Sequence, residues 1–325
     1  MPDDTKQPTA DRPAATRPTV RAIVVTWNGA DLLPSCLDSL LAQADVNIEI
    51  VVVDNASTDH TQALLTAAYP GVRVLTLPEN VGFAGGVAAA TDDLLDSPDQ
   101  AEIDYVVLLN NDAAFAPEAV STLVATAEAD RRLGAVTALV LLAEPAADGQ
   151  RLVNSTGNVW TGAGATDRDY GRPLDEVLAE CAGTPAAKRE VFGFNGGAAL
   201  LRTQGLRETG GFDASLFLYY EDTDLSFRLR RAGWTVAFEP RAVATHRHMA
   251  STGGGKSPLF RYYNTRNSLL VARRHLPAGT WVAALGRQTL GALKASLLRT
   301  EPQPVRAARW RGLRDSLRNS QPGPA

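Results

Sequence analysis

The segment Tyr105–Asp112, Y-V-V-L-L-N-N-D, joins a predicted strand to side chains that could bind a ligand. Its run of Val and Leu without polar alternation is typical of a central parallel strand covered on both faces. Parallel sheets bind ligands beyond the carboxyl ends of their strands, where Asn110, Asn111 and Asp112 would lie. A carboxylate there can bind a divalent cation, and the amides can serve a nucleotide. N-N-D is also a good turn and helix cap before a helix predicted over Ala113–Ala127, so both interpretations stay open for this segment alone.

Four further polar groups follow predicted strands or begin helices. They are Thr26-Trp27-Asn28, the segment from Asp54 to Asp59, the segment from Asn80 to Gly86, and Glu221-Asp222-Thr223-Asp224. Each also has a purely structural interpretation, because such residues can cap helices, interact favourably with the helix dipole or permit close packing. Their joint occurrence, each at a strand end or on a loop, favours one shared binding site.

These groups need a scaffold, and strands and helices alternate over residues 20–112. Strands are predicted at Val20–Thr26, Ile48–Val53, Val72–Leu77 and from Tyr105, and helices at Asp31–Ala42, Thr58–Ala68 and Gly85–Leu95. Repeated strand-helix-strand units predict a mostly parallel sheet with right-handed crossovers. Beyond it we expect a strand over Ala135–Leu142, a long pocket-shaping excursion over 144–188, a helix over Thr223–Ala232, a strand over Thr235–Phe238, and two amphipathic helices from Pro277 separated by Glu301–Pro304.

Composition and charge narrow the class of protein. The 325 residues are 45% hydrophobic and 21% charged, as in soluble globular proteins. Two distant cysteines, Cys36 and Cys181, argue against a disulfide scaffold or a zinc site and favour a cytoplasmic protein. The net charge is −4, yet residues 273–325 carry ten Arg or Lys against two acids. Residues 1–19 are polar, lack a signal-peptide core and are expected to be a disordered leader.

The combined motifs resemble glycosyltransferase family 2, and within it the bacterial rhamnosyltransferase-like branch. The resemblance covers roughly residues 20–275. It is carried by V-V-T-W-N-G, V-V-D-N-A-S-T-D, E-N-V-G-F-A-G-G, L-L-N-N-D, F-N-G-G-A-A-L-L-R, G-G-F-D, Y-Y-E-D-T-D-L-S-F-R-L, R-A-G-W and Y-Y-N-T-R-N. It implies a GT-A fold, an α/β architecture whose Rossmann-like, mostly parallel sheet is flanked by helices, with a helical C-terminal extension. We expect this domain over 20–275, with a nucleotide-binding half over about 20–134 and an acceptor and catalytic half over about 135–275, then a basic amphipathic tail over 276–325.

The resemblance also implies roles for individual residues. Asp222 matches the catalytic base that takes a proton from the acceptor hydroxyl, with Glu221 beside it. The metal-binding D-x-D motif appears as Asn110-Asn111-Asp112, which leaves Asp112 as its sole acidic ligand for Mg²⁺ or Mn²⁺, and the resemblance implies His246, or alternatively His248, as the second ligand. The implied donor-binding set is Thr26, Asn28, Asp54, Asn55, Asn80, Gly82, Gly85, Asn110, Asn111 and Lys256, and the acceptor-side set is Asn195, Gly196, Tyr220 and Asp224. For Asp224, pairing with Arg228 one helical turn later is the competing interpretation.

The segment 250–257 and the C-terminal tail each allow two interpretations. The segment A-S-T-G-G-G-K-S at 250–257 is similar to a phosphate-binding loop, but Pro258 follows at the point where such a loop continues into a helix. We therefore expect a flexible loop whose Lys256 reaches the donor diphosphate.

In the tail, Val282, Leu285, Thr289, Leu293 and Leu297 can share one helical face. That face could rest on the inner surface of an anionic membrane or pack on the catalytic domain.

The expected function is inverting transfer of a sugar, L-rhamnose from its dTDP donor above all, onto a glycan or polyprenyl-diphosphate-linked acceptor in cell-envelope or polysaccharide synthesis. The alternatives are a galactosyl or galactofuranosyl transferase of the same fold that uses a UDP-sugar, and a nucleotide-sugar-binding protein without transfer activity. A sugar-phosphate nucleotidyltransferase lacks support, because T-W-N-G-A-D has no basic residue after the first strand. Nucleic-acid binding is disfavoured, because the basic charge is confined to the tail.

Overall fold

The computed structural model describes residues 17–96, 103–162, 164–247 and 257–318. Most of the leader predicted over 1–19 therefore lies outside the described residues, as do His248, Lys256 and nearly all of the Gly-rich segment before it. Within the described ranges, no helix has the length and apolar character needed to cross a bilayer.

Twelve strands and ten α-helices are defined in the described part of the chain. The strands are β1 (Thr19–Thr26), β2 (Asn47–Asp54), β3 (Arg73–Thr76), β4 (Tyr105–Leu109), β5 (Ala113–Phe115), β6 (Leu133–Leu142), β7 (Val153–Ser155), β8 (Asn158–Thr161), β9 (Gly164–Asp167), β10 (Glu190–Val191), β11 (Ala198–Arg202) and β12 (Thr235–His246). The helices are α1 (Leu33–Leu41), α2 (Thr61–Ala68), α3 (Gly82–Asp96), α4 (Ala119–Ala129), α5 (Leu174–Cys181), α6 (Thr203–Thr209), α7 (Glu221–Arg231), α8 (Pro258–His275), α9 (Ala278–Leu298) and α10 (Gln303–Arg318).

One large sheet runs in the order β10-β12-β6-β11-β4-β1-β2-β3. Pairing is parallel through β3, β2, β1 and β4 and again between β6 and β12, whereas β11 is antiparallel to both β4 and β6. Parallel pairing brings the carboxyl ends of β1, β2 and β4 to one edge, so the residues after Thr26, Asp54 and Leu109 are neighbours. The predicted α/β architecture, a mostly parallel sheet flanked by helices and followed by C-terminal helices, is confirmed.

The sheet is buried on both faces because its strands are apolar on both sides. In β1, Val20, Ala22 and Val24 pack in the cluster that contains side chains of α1, α2 and α4. Ile23 faces the opposite cluster, built from α3, α6 and α7. Continuous Val and Ile runs therefore mark this strand better than an alternating pattern would.

Three expectations for local structure are corrected. The helix predicted over Ala113–Ala127 begins only at Ala119, because Ala113–Phe115 forms β5 and pairs with the end of β12. The strand predicted to end at Phe238 continues to His246, through a register shift between Glu239 and Val243 that accommodates Pro240. The excursion over 144–188 is not irregular throughout: β7 joins the main sheet and β8 and β9 form a hairpin.

The C-terminal helices pack against the rest of the chain through α8. Leu269 of α8 is clustered with Ala284 and Ala292 of α9 and Leu313 of α10. Gly312 lets α10 approach closely, since a Cβ there would lie 2.7 Å from the carbonyl oxygen of Tyr262. The domain boundaries given above remain predictions.

Candidate active site

The loops that follow β1 and β2 are tied together by Asn28. Its Oδ1 accepts hydrogen bonds from the backbone N–H groups of Thr58 and Asp59, at 2.7 and 3.3 Å, and its own N–H donates to Ser57 Oγ. Asn28 has a φ of 51°, a left-handed conformation that Asn tolerates better than most residues. The predicted donor residue Asn28 therefore also shapes the two loops.

Asp54 lies fully buried at the end of β2. Its Oδ1 accepts from the Ser57 N–H at 3.0 Å, and its Oδ2 accepts from Gln62 Nε2 at 2.7 Å. A nucleobase N–H that bonded to this carboxylate would compete with the Gln62 amide. Gln62, the second residue of α2, was not identified from the sequence.

Asn55, which follows β2, bonds to the residues around the start of α3. Asn55 Nδ2 donates to Asn80 Oδ1 at 2.9 Å and to the Gly82 carbonyl at 3.1 Å. Gly82 has a φ of 75°, and a Cβ there would lie 2.3 Å from the Phe217 carbonyl oxygen. A Cβ on Gly85 would lie 2.7 Å from a methyl carbon of Val81. The structure thus brings this predicted donor segment against the loop that leads to Asp222.

The end of β4 contributes the N-N-D segment. Asn111 Nδ2 donates to Thr26 Oγ1 at 3.0 Å, so these two predicted donor residues lie together, both buried. Asp112 Oδ1 lies 3.0 Å from Nε2 of His246, which ends β12, and Asn110 Nδ2 lies 3.5 Å from the same nitrogen. The structure therefore brings both predicted metal ligands together.

The chemistry of this pair fits a cation. His246 Nδ1 lies 2.6 Å from Asn154 Oδ1 in β7, and an amide oxygen there can accept a hydrogen bond from the Nδ1 proton and orient the ring. Nε2 then faces the Asp112 carboxylate at 3.0 Å, where either a proton or a metal cation can lie between the two atoms. Two neighbouring ligands of an octahedral Mg²⁺, each about 2.1 Å from the metal, would also lie about 3 Å apart.

Two protein ligands are an incomplete set. Among the described residues, no group of three His, Cys, Asp or Glu side chains could hold a metal ion. Mg²⁺ at phosphate sites normally takes one or two protein ligands, and substrate phosphates and water supply the others. The pair of Asp112 and His246 is therefore adequate for a metal that arrives with a diphosphate.

Asp222 begins α7 and is partly exposed. Its Oδ2 accepts from Asn158 Nδ2 at 2.8 Å and from the Gly196 N–H at 3.1 Å, while Oδ1 accepts from the Thr223 N–H at 2.6 Å. Burial raises the pKa of Asp222 above its usual value, although these hydrogen bonds favour the charged form. A carboxylate with a raised pKa and a fixed orientation is suited to accepting a proton.

Glu221 occupies a different environment. Its side chain is buried, and its Oε2 has no hydrogen-bond partner among the described residues. Burial, together with the charge of Asp222, raises its pKa well above the usual value. Such a buried carboxyl group is less suited than Asp222 to take a proton from a bound hydroxyl, and the catalytic role of Glu221 stays a prediction.

The segment Asn195–Gly197 lies between Asp222 and the end of β4, which carries Asn110 and Asp112. The Gly196 N–H binds Asp222, and the Gly197 carbonyl accepts from the Asn110 N–H at 3.0 Å. Asn195 Nδ2 donates to Asp167 Oδ1 at 2.7 Å. The predicted acceptor-side residues Asn195 and Gly196 are therefore beside the base.

Asp167 was not identified from the sequence. It ends β9 and is partly exposed, within electrostatic range of both Asp222 and His246. Burial, and less strongly the negative charge of Asp222, raises the pKa of Asp167 against the effect of its hydrogen bonds. The sequence signal was weak, because Asp167 and Asn158 lie in the excursion and meet only when the hairpin forms.

Tyr220 and Asp224 are both buried, and their polar atoms bond to other groups of the protein. Tyr220 is buried with its hydroxyl against Ala165 and Ser268, and burial raises its pKa to about 12. Asp224 is 2% exposed, with Oδ1 2.7 Å from His275 Nε2 and Oδ2 2.8 Å from Arg228 Nε. The acceptor-side role predicted for Asp224 is corrected by these contacts, which join α7 to the end of α8.

The loop before Asp222 has an unusual backbone. Phe217, Tyr219 and Tyr220 all have positive φ angles, which cost side-chain-bearing residues free energy. Asn267 of α8 compensates: its Nδ2 lies within 2.9 Å of the carbonyl oxygens of Leu216, Leu218 and Tyr219. The Y-Y-N-T-R-N motif therefore holds the loop that precedes Asp222.

Comparison with known proteins agrees with this geometry. The family model for glycosyl transferase family 2 matches residues 22–157, and that for glycosyl transferase family group 2 matches residues 105–289, more than half of the chain. A Mycobacterium tuberculosis (strain ATCC 25618 / H37Rv) protein named N-acetylglucosaminyl-diphospho-decaprenol L-rhamnosyltransferase is 27% identical over 290 residues, which cover 83% of this chain and 89% of that protein.

Solved structures show the same fold at low sequence identity. GalNAc-T7, solved with UDP, GalNAc and Mn²⁺, matches 80% of this chain and 48% of its own with a TM-score of 0.60 and 16% identity. The mannosyltransferase PcManGT of Pyrobaculum calidifontis, solved with GDP-Man and Mn²⁺, matches 97% of this chain and 91% of its own with a TM-score of 0.54 and 20% identity. The chain belongs to glycosyltransferase family 2 and has the GT-A fold.

Proposed function

We propose that the protein is a metal-dependent, inverting glycosyltransferase that moves L-rhamnose from a dTDP donor onto a polyprenyl-diphosphate-linked glycan in cell-envelope polysaccharide synthesis. The observation that carries the proposal is the placement of one oriented carboxylate, Asp222, beside the segment that adjoins the Asp112 and His246 pair. The sugar and the lipid-linked acceptor follow the name of the mycobacterial relative. We place the reaction in the cytoplasm, where the nucleotide sugar would be supplied.

In the proposed reaction, Asp222 Oδ2 takes the proton from an acceptor hydroxyl. The hydroxyl oxygen bonds to the anomeric carbon while the bond from that carbon to the diphosphate oxygen breaks, so the configuration inverts. Asn158 and the Gly196 N–H keep the carboxylate oriented during this step. Asp112 and His246 would hold Mg²⁺ or Mn²⁺, which when bound would neutralise the charge on the leaving diphosphate.

The donor assignment is tested by nucleoside-diphosphate release from dTDP-rhamnose, a UDP-hexose, UDP-galactofuranose and GDP-mannose. Each donor is assayed with a lipid-linked acceptor, and with Mn²⁺, Mg²⁺ or EDTA. We expect acceptor-dependent release from dTDP-rhamnose that EDTA abolishes. Preferred release from a UDP-sugar would replace the donor assignment, and binding of donors without release would favour the nucleotide-sugar-binding alternative.

A further inference from the structure

Helix α9 leaves several large apolar side chains exposed to solvent, while three of its alanines are buried. Val282, Leu290, Leu293 and Leu297 are 57%, 68%, 44% and 80% exposed, and we call them the α9 stripe. At 3.6 residues per turn they lie within about 80° of one another around the helix. Ala284, Ala292 and Ala295 are instead buried. This distribution is the reverse of what a helix packed only on its own protein requires.

The stripe differs from the face expected from the sequence. Leu285 packs beside the cluster of Leu269 and Ala284 and does not belong to the exposed surface. Leu290, which was not included in the expected face, is part of it. The packing of α9 against α8 and α10 selects which apolar residues remain outside.

Basic and aromatic side chains border the stripe. Arg287 and Lys294 are exposed on its flank, and neither has an acidic partner within ion-pair distance among the described residues. Trp310 of α10 is 39% exposed and donates through Nε1 to Ser296 Oγ at 3.1 Å, which places it along α9. An apolar stripe bordered by Lys, Arg and Trp is the pattern of a helix lying in a membrane interface.

The same surface adjoins the active site through the β8–β9 hairpin. At the hairpin tip, a Cβ on Gly162 would lie 4.0 Å from the Arg287 guanidinium. At its base, Asn158 donates to Asp222. The strand from Asn158 to Thr161 is about 10 Å long. This length is comparable with that of one sugar and a diphosphate together. A lipid-linked acceptor anchored at the α9 stripe could therefore reach the base.

We propose that the α9 stripe inserts into an anionic lipid bilayer, with Arg287 at the membrane surface where it meets the diphosphate of the lipid-linked acceptor. Charge complementarity favours a bilayer as the occupant, because residues 273–325 have a net charge of +8, from ten Arg or Lys and two acids. The role of Arg287 rests on the proposed function, whereas docking on lipid does not.

Docking is tested by vesicle flotation of the full-length protein without donor or acceptor. We expect binding to phosphatidylcholine vesicles that contain phosphatidylglycerol, weaker binding to phosphatidylcholine alone, and at least about tenfold weaker binding for the Leu290→Asp, Leu297→Asp double variant. Leu41→Asp is the matched control, since Leu41 is 57% exposed on α1, and it should bind as the unchanged protein does. Melting temperatures check that all variants are folded.

Three outcomes would overturn the proposal. One is no flotation of the unchanged protein with anionic vesicles, and another is unchanged flotation of the double variant. The third is a dimer in light scattering that the double variant dissociates while vesicle binding is absent, since a second copy would then cover the stripe. Because flotation needs no chemistry, its failure would leave the proposed transfer reaction untouched.

The role of Arg287 has a separate test. Arg287→Gln should raise the KM for a lipid-linked acceptor on vesicles and leave the KM for dTDP-rhamnose unchanged. An unchanged acceptor KM would remove Arg287 from the proposal. Inactivity of the unchanged protein with every donor would instead count against the proposed function.

Discussion

The Nε2 atom of His246 lies 3.0 Å from Oδ1 of Asp112, although the two residues are 134 positions apart in the chain. The register of β12 against β5, which pairs His246 with Ala113, produces this meeting. Asn154 holds the other ring nitrogen of His246. A conventional D-x-D motif places two carboxylates by local sequence, whereas here the second predicted ligand, His246, comes from a distant strand.

Asn154→Leu should weaken metal binding by about 10- to 100-fold, because the hydrogen bond that orients a ligating His is removed. The measurement is Mn²⁺ titration by calorimetry or electron paramagnetic resonance in the presence of dTDP. Asn47→Leu, at the exposed amino end of β2, is the control and should bind Mn²⁺ normally. Normal affinity in Asn154→Leu would count against His246 as a ligand.

Asn158→Ala should move the acidic limb of the rate profile to higher pH. Burial raises the pKa of Asp222, and the hydrogen bond from Asn158 opposes that rise by stabilising the charged form. Without it the pKa rises further, and a base loses activity as the pH falls through its pKa. We would compare kcat against pH for both proteins. A limb that stays in place, in a variant with normal melting temperature, would argue against Asp222 as the titrating group.

Glu221→Gln should stabilise the protein at neutral and alkaline pH. Burial raises the pKa of Glu221, so between its unfolded value near 4.3 and the raised value the folded state binds more protons, and stability falls as pH rises. Gln removes that fall, and each unit of pKa displacement corresponds to about 1.4 kcal/mol. Urea unfolding at about pH 5 and about pH 8 measures the effect. Glu144→Gln, an exposed site, should show none, and a gain that does not increase with pH would refute the explanation.

Asp224→Asn should lower the free energy of unfolding by about 3 kcal/mol at neutral pH, because a buried partner of Arg228 and His275 is lost. Burial alone would raise the pKa of Asp224, but the hydrogen bond from His275 and the charge of Arg228 outweigh it and lower the pKa. Its stabilising contribution is therefore present above the unfolded value and is lost as pH falls through the folded value. Asp148→Asn, on an exposed loop, serves as the comparison in urea unfolding. A loss that is equally large in acid would contradict this account.

The first half of the fold is predictable because its signals are local. The β-branched runs of β1 and β2 and the Leu spacing of α1 each specify an element without help from distant residues. The helix prediction was wrong at Ala113–Phe115, because the strand conformation of this segment depends on pairing with β12. The strand predicted over Thr235–Phe238 was too short, because a shift of register between Glu239 and Val243 lets it continue past Pro240 to His246.

The site was predictable where motifs lie at strand ends. The roles predicted for Asp222 and His246 were implied by the resemblance to glycosyltransferase family 2, and that of Asp112 also by its position after a predicted strand. Asn154, Asn158 and Asp167 were not identified, since each acts across a hairpin or a strand pair whose register the sequence leaves undetermined. The burial that separates Glu221 from Asp222, its immediate neighbour, is likewise a property of the packed loop rather than of the acid cluster.

The most direct measurement is the anomeric configuration of the product, determined by nuclear magnetic resonance after reaction of dTDP-rhamnose with a polyprenyl-diphosphate-linked acceptor. The kcat of the Asp222→Asn variant is measured under the same conditions. We predict a product with the opposite anomeric configuration to the donor, and a kcat lowered about 10²- to 10⁴-fold in the variant with donor affinity retained. A product with retained configuration, or a variant as fast as the unchanged protein, would contradict Asp222 as the base of an inverting transfer.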